Sequence, residues 1–112
     1  MSSPSPRADL LQGTLDLLIL KTLALAPLHG WGIAKRIQHM SRDVLDVQQG
    51  SLYPALYRLE DRGWISAKPG LSPEGRKVRL YSLTAAGRRQ LGAETANWRV
   101  VATAVEHILR TT

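Results

Sequence analysis

Residues 50–63, GSLYPALYRLEDRG, decide the fold of this chain. Leucines three and four residues apart give the stretch one apolar helical face, formed by Leu52, Leu56 and Leu59. Ser51 is suited to cap the start of this helix, and Pro54 is tolerated within its first turn. Gly63 marks the other end, because glycine readily adopts the left-handed conformation that ends helices. The stretch therefore predicts an amphipathic helix whose apolar face is buried in a core.

The opposite face of this helix carries side chains that are suited to the major groove of DNA. Gln49 and Ser51 lie at its N-terminal end, where helix-turn-helix proteins reach base edges, and both residue types can pair with bases. The hydroxyl groups of Tyr53 and Tyr57 can reach phosphates, and Arg58 on the same side can add a phosphate contact. The alternative is that both tyrosines only cover the edge of the core.

A leucine-rich helix is predicted near the start of the chain. It runs between Asp9, which can cap it, and Pro27, which ends it. Asp16 and Lys21 interrupt the apolar stretch, and each is costly at the centre of a bilayer. We therefore expect a helix of the core and no contact with a membrane.

A second helix is predicted over residues 31–41, after a turn at residues 29–30. Its inward face is expected to consist of Ile33, Ile37 and Met40. Trp31, at the start of this helix, is expected in the core or at its edge.

A basic β-hairpin follows the third helix. Residues 64–68 and 76–83 are predicted as short strands, with the turn at residues 69–75, PGLSPEG. Residues 63–89 contain six basic residues and one acidic residue, so this segment holds most of the formal charge of +6. The cations on the hairpin are Lys68, Arg76, Lys77 and Arg79. They fit a wing that lies along the DNA backbone, and the alternative is a solvated edge protected from aggregation.

The last helix is predicted to begin after Thr84 and to run to about Arg110. Apolar residues recur along it in a heptad pattern, with Glu94 as a polar break, at Leu91, Trp98, Val101, Val105 and Ile108. So long a helix on a small domain needs a partner surface, and a second copy of the chain is the simplest one. Trp98 and its symmetry mate could form a slot for a small planar aromatic effector, but we favour simple packing between the two helices.

The order helix, helix, helix, hairpin, helix predicts a mainly α protein with a small β-hairpin, a winged helix-turn-helix. We expect a flexible tail at residues 1–6, the DNA-binding domain at residues 7–83 and a dimerisation helix at residues 84–112. The chain has no cysteine, which fits a reducing cytoplasm, and its three histidines lie on separate elements. These residues form neither a catalytic set nor a metal site, so we expect no enzyme, no metal and no cofactor.

Four motifs resemble the PadR family of bacterial regulators. In chain order they are LQGTLDLLIL at residues 11–20, HGWGI at 29–33, GSLYPAL at 50–56 and YSLTAAGR at 81–88. The resemblance implies a dimeric winged-helix repressor of the short branch, with one C-terminal dimerisation helix. It implies that the recognition helix opens with Gly50, Ser51, Leu52, Tyr53 and Pro54, with Tyr53 on DNA, and it suggests an aromatic ligand at Trp98. Trp31 departs from the tyrosine that the family usually has in the second motif.

Two functions stay open at this point. The first is a homodimeric repressor that binds an inverted repeat in double-stranded DNA, and it predicts a steep loss of affinity with salt. The second is a winged-helix protein-interaction module whose basic hairpin meets an acidic partner. An anionic-membrane binder would need an exposed amphipathic helix, whereas the leucine face is better used in the core.

Overall fold

A computed structural model describes residues 12–112. Its elements are α1 (Gln12–Leu25), β1 (Leu28–His29), α2 (Gly30–Met40), α3 (Gln49–Asp61), β2 (Ile65–Leu71), β3 (Lys77–Leu83) and α4 (Ala85–Arg110). The three strands form one antiparallel sheet in the order β1-β3-β2. This is the predicted winged helix-turn-helix with a long C-terminal helix. The predicted cap at Asp9 and tail at residues 1–6 lie outside the described residues.

One apolar core joins the first three helices to the base of the sheet. Its fully buried members come from every one of these elements and include Ile19, Leu20, Ile33, Leu52, Leu56, Leu59 and Ile65. The predicted leucine face of α3 is confirmed, since all three of its leucines are buried. Burial of side chains of this size contributes about 1.5–3 kcal/mol each, so the inner face of α3 strongly fixes its rotation.

The third helix starts earlier than predicted. It begins at Gln49, with Gln48 rather than Ser51 as the N-cap residue, and no side chain caps it. Pro54 consequently lies inside the helix and not in its first turn. Pro54 cannot donate a hydrogen bond to the carbonyl of Gly50, but both residues are exposed, so water can satisfy that oxygen. The predicted stop is confirmed, because Gly63 follows the helix with a φ of 75°.

The segment before α2 also differs from the prediction. His29 lies in the two-residue strand β1, where Leu28 pairs with Tyr81 and His29 with Leu80, and not in a turn. The hairpin therefore becomes a three-stranded sheet. Met40 is exposed as the last residue of α2, where the chain turns at residues 41–43, so the prediction that it faces the core is wrong.

The β2–β3 hairpin, which we call the wing, is longer than predicted. Its turn is confined to residues 72–76, where the Ser72 backbone N–H donates to the Arg76 carbonyl (2.8 Å) and the Ser72 hydroxyl accepts from the Arg76 N–H (3.1 Å). Gly75 supplies the positive φ of 84° that this turn needs. Pro69 lies within β2 and pairs with Arg79, which is tolerated because β2 is the edge strand of the sheet.

The start of α4 is attached to the junction between α3 and the wing. The Thr84 hydroxyl caps α4 as predicted, accepting from the Gly87 N–H (3.0 Å), and it donates to the Gly63 carbonyl (2.6 Å). The Thr84 N–H donates to the Trp64 carbonyl (3.1 Å). Gly87 is buried in this contact, and a Cβ atom at that position would collide with the Trp64 carbonyl oxygen. The direction in which α4 leaves the domain is thus set by backbone contact.

The close contact between Gly87 and the Trp64 carbonyl predicts that one added methyl group at position 87 destabilises the protein. Gly87→Ala should lower the free energy of unfolding by about 1–3 kcal/mol or more, because the backbone of α4 must move away from Trp64. Gly92→Ala is the matched control in the same helix, since no atom lies within 4 Å of its added Cβ. That variant should gain up to about 1 kcal/mol from helix propensity. Urea denaturation measures both, and equal effects of the two substitutions would contradict the contact.

Candidate nucleic-acid interface

The outer face of α3 presents two tyrosines to solvent. Tyr57 is 69% exposed and Tyr53 is 37% exposed, opposite the buried leucines. Gln49 and Ser51 are exposed near the N-terminal end of the same helix, as is Pro54. The aromatic ring of Tyr53 packs on Gly30 at the start of α2, where an added Cβ would lie 2.8 Å from its hydroxyl oxygen. Tyr53 is therefore held in place by α2, whereas Tyr57 projects freely.

The wing and the helices enclose an open groove, which we call the wing groove. It has a volume of about 620 Å³, and its lining includes His29, Trp31, Gln49, Tyr53, Arg76 and Lys77. The side chains of Arg76 and Lys77 make no ion pair with any carboxylate within residues 12–112. Two cations without a carboxylate partner among the described residues thus line the same groove as the aromatic and amide groups at the start of α3, together with one carboxylate, Glu74. The excess of positive charge is suited to a phosphate backbone.

Lys68 lies on the other face of the wing. It pairs with Leu80, whereas Arg79 pairs with Pro69, and successive residues of a strand point to opposite faces. The four cations predicted for the hairpin therefore do not form one patch. Arg76 and Lys77 belong to the wing groove, and Lys68 is exposed on the far side.

Arg79 is engaged within the protein. Its Nη2 donates to both carboxylate oxygens of Glu60 on α3, at 2.8 and 3.1 Å, and its guanidinium lies 6.0 Å from the centre of the Tyr81 ring. Hydrogen bonding to Tyr81 and the charge of Glu60 raise the pKa of Arg79, while burial raises the pKa of Tyr81. The prediction of a freely available phosphate contact at Arg79 does not fit this geometry.

Arg58 is turned inward and not toward solvent. Its Nη2 donates to a carboxylate oxygen of Asp16 on α1 at 2.8 Å, and the Arg58 and Asp16 side chains are 30% and 9% exposed. Burial raises the pKa of Asp16, and the hydrogen bond from Arg58 opposes that shift. The predicted phosphate contact of Arg58 is therefore unsupported, because its guanidinium compensates a buried carboxylate 42 residues earlier in the chain.

Trp31 was missed by the sequence-based interpretation. It is exposed and not part of the core, with the Lys35 Nζ atom 5.1 Å from its ring centre and the His29 ring 6.5 Å away. It borders the wing groove and also a second hollow between α2 and the start of α3. The spacing of Trp31 and Lys35, one helical turn apart, was the available signal.

The C-terminal helix carries an exposed apolar stripe. Trp98, Val101, Val105 and Ile108, all predicted for the dimer seam, are exposed on α4 in the single chain. Leu91 differs, because it is half-buried and packs against the core of its own domain. The stripe therefore begins beyond the part of α4 that α1 covers.

The sequence profile of the PadR-like family of transcriptional regulators matches residues 19–93, which extend from α1 to the first half of α4. The chain belongs to the PadR-like family. Members of this family are DNA-binding regulators of transcription, which fits the exposed face of α3 and the two cations of the wing groove.

Several proteins similar to this PadR-like chain match it over most of their own length. A PadR-like transcription factor from Bacteroides fragilis is 31% identical, with a TM-score of 0.70 over 87% of this chain and 91% of its own. A PadR-family regulator from Clostridium difficile is 28% identical, with a TM-score of 0.71 over 85% and 97% of the two chains. An uncharacterised protein from Lysinibacillus sphaericus is 27% identical over 85% of this chain and 87% of its own. Within residues 12–112, no helix has the length and apolar character needed to span a bilayer.

Substitutions distinguish the cation that stabilises the fold of this PadR-like chain, Arg58, from a cation that is expected to contact DNA, Lys77. Arg58→Met keeps the aliphatic stem but leaves Asp16 without its partner, so the free energy of unfolding should fall by about 1–3 kcal/mol. Lys77→Met should leave stability within about 0.5 kcal/mol, because Lys77 is exposed, but should reduce the salt dependence of duplex binding by about one unit of slope. Denaturation and salt-titrated fluorescence anisotropy test both variants. A reduced slope in folded Arg58→Met would show that Arg58 contacts phosphate after all.

Proposed function

We propose that this chain is a repressor that binds an inverted-repeat operator as a homodimer. The observation that carries the proposal is the wing groove, which is lined by the exposed start of α3 and by two cations that have no carboxylate partner within residues 12–112. In this arrangement Gln49 and Ser51 reach base edges in the major groove, and Tyr53 and Tyr57 contact the sugar-phosphate backbone. Arg76 and Lys77 bind the flanking backbone from the wing.

Lys68 adds a phosphate contact from the opposite face of the wing. A wing that enters or borders the minor groove meets a phosphate strand on each side, so cations on both faces are useful. Pro54 lies on the exposed side of α3 and limits how closely the backbone of the helix approaches DNA. These contacts supply most of the affinity, because each neutralised phosphate releases condensed counterions.

The apolar stripe of α4 supports a homodimer. Trp98, Val101, Val105 and Ile108 share one face of a helix of 26 residues and are exposed in the single chain. Water-exposed apolar stripes of this kind are buried in coiled-coil pairs. Two chains joined along α4 present two copies of α3, which matches the two half-sites of an inverted repeat. A dimer seated on a promoter obstructs transcription, which is why repression is the proposed outcome.

In the proposed contact between two α4 helices, Trp98 is mainly a packing residue. Its large side chain and that of its symmetry mate bury apolar area at the contact between the two helices. A planar aromatic effector between the two indoles remains the prediction that the family resemblance implies, and it would couple ligand binding to the seam.

Operator binding is tested with the promoter of the chain's own gene. The wild type should bind this duplex at least about a thousand times more tightly than a scrambled one at physiological salt. Tyr57→Ala should weaken operator binding by about 1–3 kcal/mol without unfolding the protein, because the ring is exposed and makes no core contact. Tyr57→Phe is the matched control that keeps the ring and removes the phosphate-binding hydroxyl. Fluorescence anisotropy measures all of these affinities.

The protein-interaction module makes the opposite prediction for the same measurements. Equal affinity for operator and scrambled duplexes, together with no effect of Tyr57→Ala, would reject the repressor. Binding of an acidic protein partner that depends on Arg76 and Lys77 would then be the better account.

The proposed dimer interface is tested by substituting aspartate into the apolar stripe of α4. Val101→Asp and Ile108→Asp should each convert the dimer to monomers, because an unpaired carboxylate in an apolar contact is costly. Thr103→Asp introduces the same charge on the opposite face of α4 and should leave the dimer intact. Light scattering at micromolar concentration gives the mass of each variant. A dimer that persists in both stripe variants would place the interface elsewhere.

A further inference from the structure

One carboxylate lies on the face of α3 that is turned toward the wing. Glu60 accepts two hydrogen bonds from the Arg79 Nη2 atom, at 2.8 and 3.1 Å, across the space between α3 and β3. The two side chains are 33% and 58% exposed, so the pair lies at the surface. It joins residues 19 positions apart in the sequence, on two elements that the proposed function places on DNA.

The pair borders the surface that the proposed function places on DNA. Tyr57, Glu60, Asp61 and Arg79 line one open hollow of about 480 Å³ on the outer side of α3. Glu60 thus lines the same hollow as Tyr57, the more exposed of the two tyrosines. A carboxylate at this place repels phosphates, and its two oxygens take the guanidinium donors that a phosphate would otherwise use.

We propose that Glu60 is a specificity-determining residue that occupies Arg79 and so lowers the affinity of the protein for arbitrary DNA. The inference rests on the proposed function, because it assumes that α3 and the wing contact a duplex. An exposed pair of this kind contributes no more than about 1 kcal/mol. It is therefore weak enough to be replaced by a well-placed phosphate, yet it removes one cation from every loosely bound, sequence-independent complex.

The Glu60–Arg79 pair should therefore change the ratio of operator affinity to non-specific affinity and not only the strength of binding. Non-specific affinity depends on how many phosphates the protein neutralises, and each adds about 0.9 to the salt slope. When Glu60 is paired with Arg79, Arg79 does not neutralise a phosphate in a non-specific complex. Without Glu60, Arg79 is free to neutralise any phosphate within reach, and the ratio of operator to non-specific affinity falls.

The experiment compares Glu60→Gln with Asp61→Asn, the neighbouring substitution that removes the same charge. Binding of a scrambled duplex is measured by fluorescence anisotropy over a range of salt concentrations. Glu60→Gln should bind up to about fivefold more tightly than Asp61→Asn, with a salt slope steeper by about 0.9. Both substitutions are then repeated in an Arg79→Gln background, where the difference between them should vanish. Thermal unfolding of each variant confirms that all four are folded.

Two results would overturn the inference while leaving the repressor intact. One is that Glu60→Gln and Asp61→Asn bind the scrambled duplex alike, and the other is that their difference persists without Arg79. Either result would make Glu60 an ordinary negative charge near the interface. If the wild type binds neither operator nor scrambled duplex, the proposed function itself fails and this inference fails with it.

Discussion

Helix α3, the proposed recognition helix, forms an arginine–carboxylate pair on each of two sides, and the rest of the proposed interface depends on its position. Arg58 reaches Asp16 on α1, and Arg79 of the wing reaches Glu60. Between these pairs the leucine face of α3 is buried in the core. The apolar face determines the rotation of the helix, and the pairs connect it to its two neighbours. The outer face is then left for Tyr53 and Tyr57.

This arrangement changes which cations are available to DNA. A count of basic residues suggests a uniformly charged hairpin, but one arginine of α3 and one of the wing already have carboxylate partners. The cations without such partners in the wing groove, Arg76 and Lys77, lie near the turn of the wing. Arg58, which compensates the buried carboxylate of Asp16, is therefore a different kind of cation from Arg76 and Lys77, which line the wing groove.

In the proposed dimer, the long helix α4 connects the geometry of one domain to that of a second copy. Its start is fixed by contacts of Thr84 and Gly87 with Gly63 and Trp64, which join α3 to the wing, so the direction of α4 is tied to that of α3. In the proposed dimer, this fixed orientation of α4 relative to α3 sets the distance between the two copies of α3. Half-sites one helical turn of DNA apart, about 34 Å, require such a fixed relation.

Local patterns in the sequence predicted the elements well and their contacts poorly. The leucine face of α3, the stop at Gly63 and the cap at Thr84 depend on neighbours within a few residues, and all three are confirmed. The start of α3 and the strand at His29 were predicted wrongly, because the first lacks a side-chain cap and the second is stabilised only by pairing with β3.

Local sequence patterns could not predict the carboxylate partners of Arg58 and Arg79. They lie 42 and 19 residues away in the sequence, and periodicity carries no information at those separations. The exposure of Trp31 was missed for a related reason, since tertiary packing decides whether a tryptophan at the start of a helix is covered.

The most direct test of this account is a map of backbone amide chemical shifts during titration with a promoter duplex. If α3 and the wing form the interface, the changes should concentrate in residues 49–57 and 68–79, while the stripe of α4 at residues 98–108 stays unchanged. Changes centred on residues 98–108, with residues 49–57 unaffected, would contradict the account, because the duplex would then bind the surface assigned to the second copy of the chain.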